Sequence, residues 1–276
     1  LFLTMNGADL WIQQNAPELN YVSAGSFPVS QYLLPLFDGF SSNVIFIIER
    51  TAWWFHIIGI LCFLNYLYYS KHLHILLAFP NTYFANLNAK GKLSNLKSVT
   101  NEVKMMLDPS IDPYASTSSV EVSKFGASDV FDLSKIQLLN AYTCTECGRC
   151  TSECPANQTG KKLSPRKIMM DTRDRMEVVG NNIDVNNGEF KPDGKELLGD
   201  YVTNEELWAC TSCNACVEAC PIGIDPLSII MDMRRYLVME KSDAPSELNN
   251  MMSNIENNGA PWPFNQMDKL NWKNEI

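Results

Sequence analysis

C-T-E-C-G-R-C-T-S-E-C-P at residues 144–155 and C-T-S-C-N-A-C-V-E-A-C-P at residues 210–221 are two copies of one spacing, C-x2-C-x2-C-x3-C-P. Together they use eight of the nine cysteines. A cubane cluster needs four thiolates converging from different directions, and this is the spacing that supplies them to two [4Fe–4S] clusters. Three cysteines two residues apart wrap a tight turn around three irons. The fourth, three residues on, already points along a new helix and ligates the other cluster. The expected sets are Cys144, Cys147, Cys150 and Cys220 for the first cluster, and Cys210, Cys213, Cys216 and Cys154 for the second. Pro155 and Pro221 follow the fourth cysteines, where a fixed φ and a missing N–H redirect the chain.

Two other chemistries use closely spaced cysteines. Structural zinc takes four ligands per site, which leaves the third and fourth cysteine of each motif without a purpose. Disulfides belong to an oxidising compartment, and the charge pattern described next places these cysteines in the cytoplasm.

At 276 residues the chain holds one or two domains. It starts at Leu1 and ends in polar sequence, so a piece of a longer polypeptide is expected. A charged fraction of 19% is below the usual quarter of a soluble protein and fits a membrane-embedded part. The net charge of −9 and pI near 4.9 argue against nucleic-acid binding, which needs a basic surface. Apart from the two cysteine motifs there is no internal repeat and no low-complexity tract.

The apolar patches Leu1–Ile12 and Val29–Phe37 are too short to span a bilayer. They read as the tail of a helix and an interfacial segment. Val44–Tyr69 is different: from Thr51 to Tyr69 it lacks any formal charge and as a helix covers about 28 Å, enough for the hydrocarbon core. Trp53 and Trp54 at one end and Tyr66, Tyr68 and Tyr69 at the other resemble interfacial belts. Residues 1–49 contain no lysine or arginine, whereas Lys71, Lys90, Lys92, Lys97 and Lys104 follow the span. By the positive-inside rule the cysteine region faces the cytoplasm from the cell's inner (cytoplasmic) membrane.

The spanning helix is expected to continue through Ser70–Leu77 until Pro80, giving a main span of about 44–79. It carries all three histidines. His56 and His74 are 18 residues apart, five full turns at about 100° per residue, so on one helix they share a face about 27 Å apart, while His72 points elsewhere. Two such histidines suit two stacked b-type haems, each with a second axial ligand from another helix. The alternative is a helix end anchored at the interface by Lys71 to His74, with His56 in an interhelical hydrogen bond. Cys62, in mid-span, reads as a small packing residue.

The expected organisation is a membrane part at 1–80, a polar connector at 81–131 with turns at Asp108-Pro109 and Asp112-Pro113, a dicluster domain at 132–240 and a linker at 241–276. Asp132 is expected to cap a helix bearing Leu133, Ile136 and Leu139 that leads into Cys144. Ser164-Pro165 opens a helix that runs to Gly180, Glu205–Trp208 leads into Cys210, and Asp225-Pro226 opens a helix with Ile229, Ile230, Met233 and Leu237 on one stripe. Helices on both sides of each motif, with no alternating pattern, give a mainly α fold. Arg149, Arg166, Arg234 and Arg235 near the motifs read as solvated helix-face charges, with cluster tuning or partner binding as the alternative.

A-Y-T-C-T-E-C-G-R-C-T-S-E-C-P-A, L-S-P-R-K, L-W-A-C-T-S-C-N-A-C-V-E-A-C-P-I and M-R-R-Y-L-V resemble the membrane-bound iron–sulfur oxidoreductases related to heterodisulfide reductase and the glycolate oxidase iron–sulfur subunit. R-T-A-W-W-F-H-I-I-G to S-K-H-L-H-I is similar to the last helix of the nitrate reductase gamma-like domain found in that family. The resemblance covers roughly residues 43–270. It implies the C-terminal part of a transmembrane cytochrome b-like helical domain followed by an α-helical ferredoxin domain, with His56 and His74 at haem-ligand positions. It also implies further helices upstream and a substrate-converting domain downstream. The implied function is electron transfer between a cytoplasmic redox partner (electron-transfer flavoprotein or a 2-hydroxy-acid oxidase), two clusters, membrane haem and quinone. A membrane-anchored iron–sulfur sensor is the rival reading.

Overall fold

The computed structural model describes residues 1–22, 25–89, 91–108 and 124–274. The turn expected at Asp112-Pro113 and the proline of Asp108-Pro109 lie outside the described residues. The chain forms two compact units, Leu1–Leu73 and His74–Ile276, so the division falls slightly before the expected residue 80.

In the first unit, helix α1 (Phe2–Asn15) packs along helix α2 (Ser42–Leu67). Ala8, Ile12, Ala16, Phe37 and Ile45 form the seam between them. Gly7 is needed there: a Cβ on it would lie 3.2 Å from the Phe37 ring and 3.3 Å from Leu33. The two short apolar patches therefore serve as a helix that packs on α2 and a 3-10 turn (Ser30–Leu36) that packs on α1. The rest of α2 exposes Trp54, Phe55, Ile58, Leu61, Phe63 and Leu64. With 26 residues, mean hydropathy 1.6 and only 17% of its most apolar window buried, it has the length and composition to cross a membrane and lacks the burial of a soluble core helix.

The single helix expected over 44–79 is two helices. α2 stops at Leu67, and α3 runs Leu73–Tyr83 with Pro80 inside it. The break has a local cause in Ser70, whose hydroxyl donates to the Leu67 carbonyl at 3.1 Å and accepts from the His72 N–H at 3.2 Å. A short polar side chain thus takes over backbone groups that the helix would use. His56 and His74 consequently do not share one helix face, and the 18-residue register argument falls.

The second unit is helical, and among the described residues it holds no strand, with one isolated bridge, Leu198 to Val202. α4 (Lys97–Leu107) precedes the cysteine motifs. α5 (Lys135–Thr143) is capped by Ser134, which forms a reciprocal box with Gln137. Asp132 does not cap it. It closes the preceding turn, Val130–Asp132, in a second box with Asp129. α6 (Arg149–Ser152) and α7 (Pro155–Gln158) are single turns. α8 (Pro165–Val185) starts at Ser164, which accepts from the Lys167 N–H, as its sequence indicates, yet it passes through Gly180. Val179 is buried and Ile183 packs on the same core, and that burial outweighs the ~1 kcal/mol that a mid-helix glycine costs.

α9 (Asn204–Ala209) has a Thr203–Glu206 capping box, and α10 (Ala215–Glu218) lies in the second motif. α11 (Pro226–Met239) is capped by Asp225, which accepts from the Ser228 N–H at 3.0 Å. Ile168, Met169, Leu197, Leu207, Ile229, Ile230 and Met233 make the core. The segment expected to be a linker contains α12 (Ser246–Asn258), which buries no residue.

Two non-local contacts fix the frame. Residues 124–131, expected in the connector, belong to the core: Ala127 donates to the Asp232 carbonyl at 3.0 Å. A Cβ on Gly126 would sit 2.2 Å from that carbonyl, so only glycine fits. Arg175, fully buried in α8, donates to both carboxylate oxygens of Asp129, to Asp193 and to the Lys195 carbonyl.

Candidate metal centre

The two cysteine motifs adopt the same backbone course. Cys144 ends α5 and Cys210 ends α9, both with extended φ/ψ. Two residues on, Glu146 (φ 60) and Ser212 (φ 55) are left-handed, and so are Gly148 (φ 83) and Asn214 (φ 61) four residues on. One-turn helices then carry the third cysteines, Cys150 and Cys216. Asn214 replaces glycine in the second copy because asparagine tolerates the left-handed region better than most residues. The reversals turn main-chain N–H groups onto sulfur. Ser212 N–H points at Cys210 Sγ at 3.4 Å, Glu146 N–H does the same for Cys144, and Ala215 N–H holds the Cys213 thiol below its usual range. Such N–H···S contacts favour thiolate and tune a cluster.

α6 packs against α10, and this contact mixes the motifs. Burial pushes the Cys144 thiol up, and Cys220 and Cys147 add repulsion. Cys150 is raised by burial and then by Cys144, Cys147 and Cys220. Cys210 is raised by burial and by Cys154 and Cys213, despite the N–H from Ser212 and the nearby Arg234. Burial, then Cys210, Asp225, Cys150 and Cys154, push Cys216 up to about 12. Cys220 of the second motif thus keeps company with Cys144 and Cys150, and Cys154 of the first with Cys210 and Cys216.

A cavity of about 270 Å³ is lined by Cys144, Cys147, Cys150 and Cys220, with Cys216, Met169, Ile222, Ile224, Arg149, Arg166 and His74 also in its wall. Among the described residues no three Cys, His, Asp or Glu side chains are gathered as closely as one metal ion requires. Thiolates around a cubane stand farther apart because each binds a different iron. All-sulfur donors, N–H···S contacts and a cavity between them fit a cluster better than zinc.

The arginines divide. Arg149 and Arg166 are exposed and line the cavity. Arg234 is no solvated charge: its guanidinium lies 4.9 Å from the Trp208 ring centroid, donates to the Leu207 carbonyl at 3.0 Å and also holds the Cys210 carbonyl. Burial lowers its pKa. It locks the turn that presents Cys210. Arg235 bonds Asp232 at 2.7 Å and the Ser94 carbonyl. Arg173, paired with Glu146 at 2.8 Å, performs the corresponding service for the first motif. The sequence offered no local sign of these clamps.

The placement of the three histidines differs from the sequence expectation. His56 lies half-buried on α2, its ring 5.5 Å from that of Phe2. His74 is on α3 in the cavity wall, and His72 is exposed in the turn between the two helices.

Residues 143–224 match the family described as a 4Fe-4S dicluster domain. Its relatives are iron–sulfur oxidoreductases. The chain is 30% identical over 281 residues to the probable iron-sulfur-binding oxidoreductase FadF of Bacillus subtilis, an alignment covering 91% of this chain and 37% of that protein. It is 27% identical to the EtfAB:quinone oxidoreductase of Syntrophomonas wolfei, covering 97% of this chain and 37% of that protein. A third relative, a probable membrane-anchored ferredoxin of Chromohalobacter salexigens, is 34% identical over 51% of this chain and 23% of its own length. The chain thus spans little more than a third of the first two. Iron–sulfur electron transfer within an oxidoreductase is the function these relationships support, and the membrane-anchored relative together with α2 supports membrane association.

Proposed function

We propose that the chain is the relay of a membrane-bound oxidoreductase, carrying electrons between a cytoplasmic flavoprotein and quinone through two [4Fe–4S] clusters with crossed ligation. Cys144, Cys147, Cys150 and Cys220 would hold the first cluster; Cys210, Cys213, Cys216 and Cys154 would hold the second. The single observation that carries the reading is the interleaving of the motifs, which brings Cys220 to the first set and Cys154 to the second. When bound, the clusters supply one-electron carriers. The protein's part is to direct N–H groups onto sulfur, clamp the turns with Arg173 and Arg234, and bury Cys154 and Cys216 away from water.

The FadF and EtfAB:quinone oxidoreductase relatives favour a flavoprotein (electron-transfer flavoprotein or a 2-hydroxy-acid oxidase) and quinone as partners. Lysines after α2 favour the cytoplasmic side for the cluster domain. Haem b is proposed with His56 and His74 as axial ligands contributed by two helices, each completed by a second ligand from elsewhere in the assembled protein. In membranes containing the full-length protein, reduced electron-transfer flavoprotein should reduce quinone, and Cys213→Ser should abolish that transfer. Turnover unaffected by Cys213→Ser would refute the relay. His56→Ala and His74→Ala should each remove about one haem from the absorption spectrum, with His72→Ala leaving it intact; unchanged haem in the first two would refute the ligand assignment.

A further inference from the structure

We infer that Asn81 is a positioning residue for the cluster on Cys144, Cys147, Cys150 and Cys220: it fixes the irregular segment that presents Cys220, the thiol crossing over from the second motif. This rests on the crossed two-cluster reading above and adds to it how the crossing ligand is held.

The two crossing cysteines stand in different surroundings. Cys154 is the N-cap of α7, and the Gln158 N–H donates to its carbonyl at 2.9 Å, so a helix begins on the ligand itself. Cys220 has no such support. α10 stops at Glu218 and α11 starts at Pro226. Beyond Cys220, Pro221 offers no N–H, and the segment's own bond is a single turn, from the Gly223 N–H to the Cys220 carbonyl at 3.2 Å. The remaining backbone groups of such a stretch take their partners, and the chain its course, from elsewhere in the fold. Asn140 supplies one partner, its Oδ1 accepting from the Asp225 N–H at 3.3 Å. Asn81 supplies the other, donating from Nδ2 to the Ile222 carbonyl at 2.9 Å.

Asn81 is 3% exposed, and among the described residues no other group donates to the Ile222 carbonyl. Its own Oδ1 has no partner there. An amide buried for a single bond adds little to stability, so the value of the bond lies in where it holds Ile222. Ile222 stands two residues beyond Cys220 and lines the cavity together with Cys220, Pro221 and Ile224. The residues after Asn81 keep to the same loop: a Cβ on Gly223 would be 3.6 Å from that of Ala85, and a Cβ on Gly91 would be 3.9 Å from Asn214 Nδ2. Residues 81–91 thus run along the loop that carries Cys216 and Cys220.

The test uses full-length protein assembled anaerobically. Iron release to excess bathophenanthroline is timed, and electron paramagnetic resonance of dithionite-reduced samples follows the two centres separately, assigned by comparison with Cys147→Ser and Cys213→Ser. In Asn81→Leu iron should leave the first centre about tenfold faster than in wild type, the equivalent of about 1.4 kcal/mol and within the cost of leaving a buried carbonyl unpaired. The second centre should keep its wild-type rate, and only the first should change its resonance. Asn81→Asp, studied at alkaline pH, keeps the side chain's shape and puts an acceptor in place of the donor. It should show the same selectivity, and it covers the case in which the leucine variant does not fold. Arg175→Met loosens the domain away from both sets and should speed release from both centres alike. Equal acceleration of both centres in the Asn81 variants, or release unchanged from wild type, would overturn the positioning role and leave the two crossed clusters standing. The same selectivity in Arg175→Met would mark the first centre as simply the weaker one and would also overturn the role. Loss confined to the centre of Cys210, Cys213 and Cys216 would overturn the crossed ligation, and the inference with it.

Discussion

Cys154→Ser should cost the protein the cluster held by Cys210, Cys213 and Cys216, and leave the cluster nearest to it in sequence in place. Cys154 is 6% exposed and is an electrostatic neighbour of Cys210 and Cys216. Iron content of anaerobically assembled protein should fall from about eight to about four per chain, since each [4Fe–4S] centre needs its four thiolates. Cys220→Ser should do the converse, with the loss falling on the set of Cys144, Cys147 and Cys150. Resonance spectra separate the two centres when each variant is compared with Cys147→Ser and Cys213→Ser. Loss of the Cys144–Cys150 centre in Cys154→Ser would show that each motif holds its own cluster.

Arg175→Met should be the most destabilising change away from the cysteines. The Arg175 side chain is fully buried and donates to Asp129, Asp193 and the Lys195 carbonyl. Asp129 is engaged further, capping the 130–132 turn and accepting from the Leu197 N–H at 3.2 Å. Removing the cation leaves two carboxylates facing each other with no counter-charge, a cost of about 3–5 kcal/mol. Thermal unfolding should shift down by on the order of 10 °C for a domain of this size. The hydrogen bond from Arg175 holds the Asp193 carboxyl below its usual range, with Lys195 N–H assisting. A depressed folded-state pKa gives stability above the unfolded value that disappears as pH falls through the folded one. Arg175→Met should therefore lose this part of the acid sensitivity. A melting temperature within one or two degrees of wild type, read by far-ultraviolet circular dichroism, would contradict the network's role.

The features legible in the sequence are those decided within a few residues. The cysteine spacing is one, because the ligand geometry of a cubane is stiff and leaves few alternatives. The caps at Ser164 and Asp225 are another, because a side chain bonding an N–H three residues on is a local event. The sequence reading erred where two local signals competed or where a distant partner decided. At Ser70 the apolar run argued for one long helix, and the hydroxyl's two backbone bonds ended it. Asp132 resembled the cap, and the reciprocal box of Ser134 with Gln137 placed the helix start two residues later. Gly180 read as a stop, but packing of Val179 and Ile183 carried α8 past it. Arg234 looked like a surface charge until the turn between Leu207 and Cys210 was found folded onto it. Asn81 reaches Ile222 across 141 positions, a distance over which periodicity carries no information.

Iron and acid-labile sulfide counted on the same anaerobically purified full-length protein, with zinc measured alongside, test the central claim most directly. Two interleaved motifs predict about eight iron and eight sulfide per chain and no stoichiometric zinc, because eight thiolates serve two four-iron cubanes. Stoichiometric zinc without sulfide would contradict the account, since zinc takes four thiolates per ion and no sulfide.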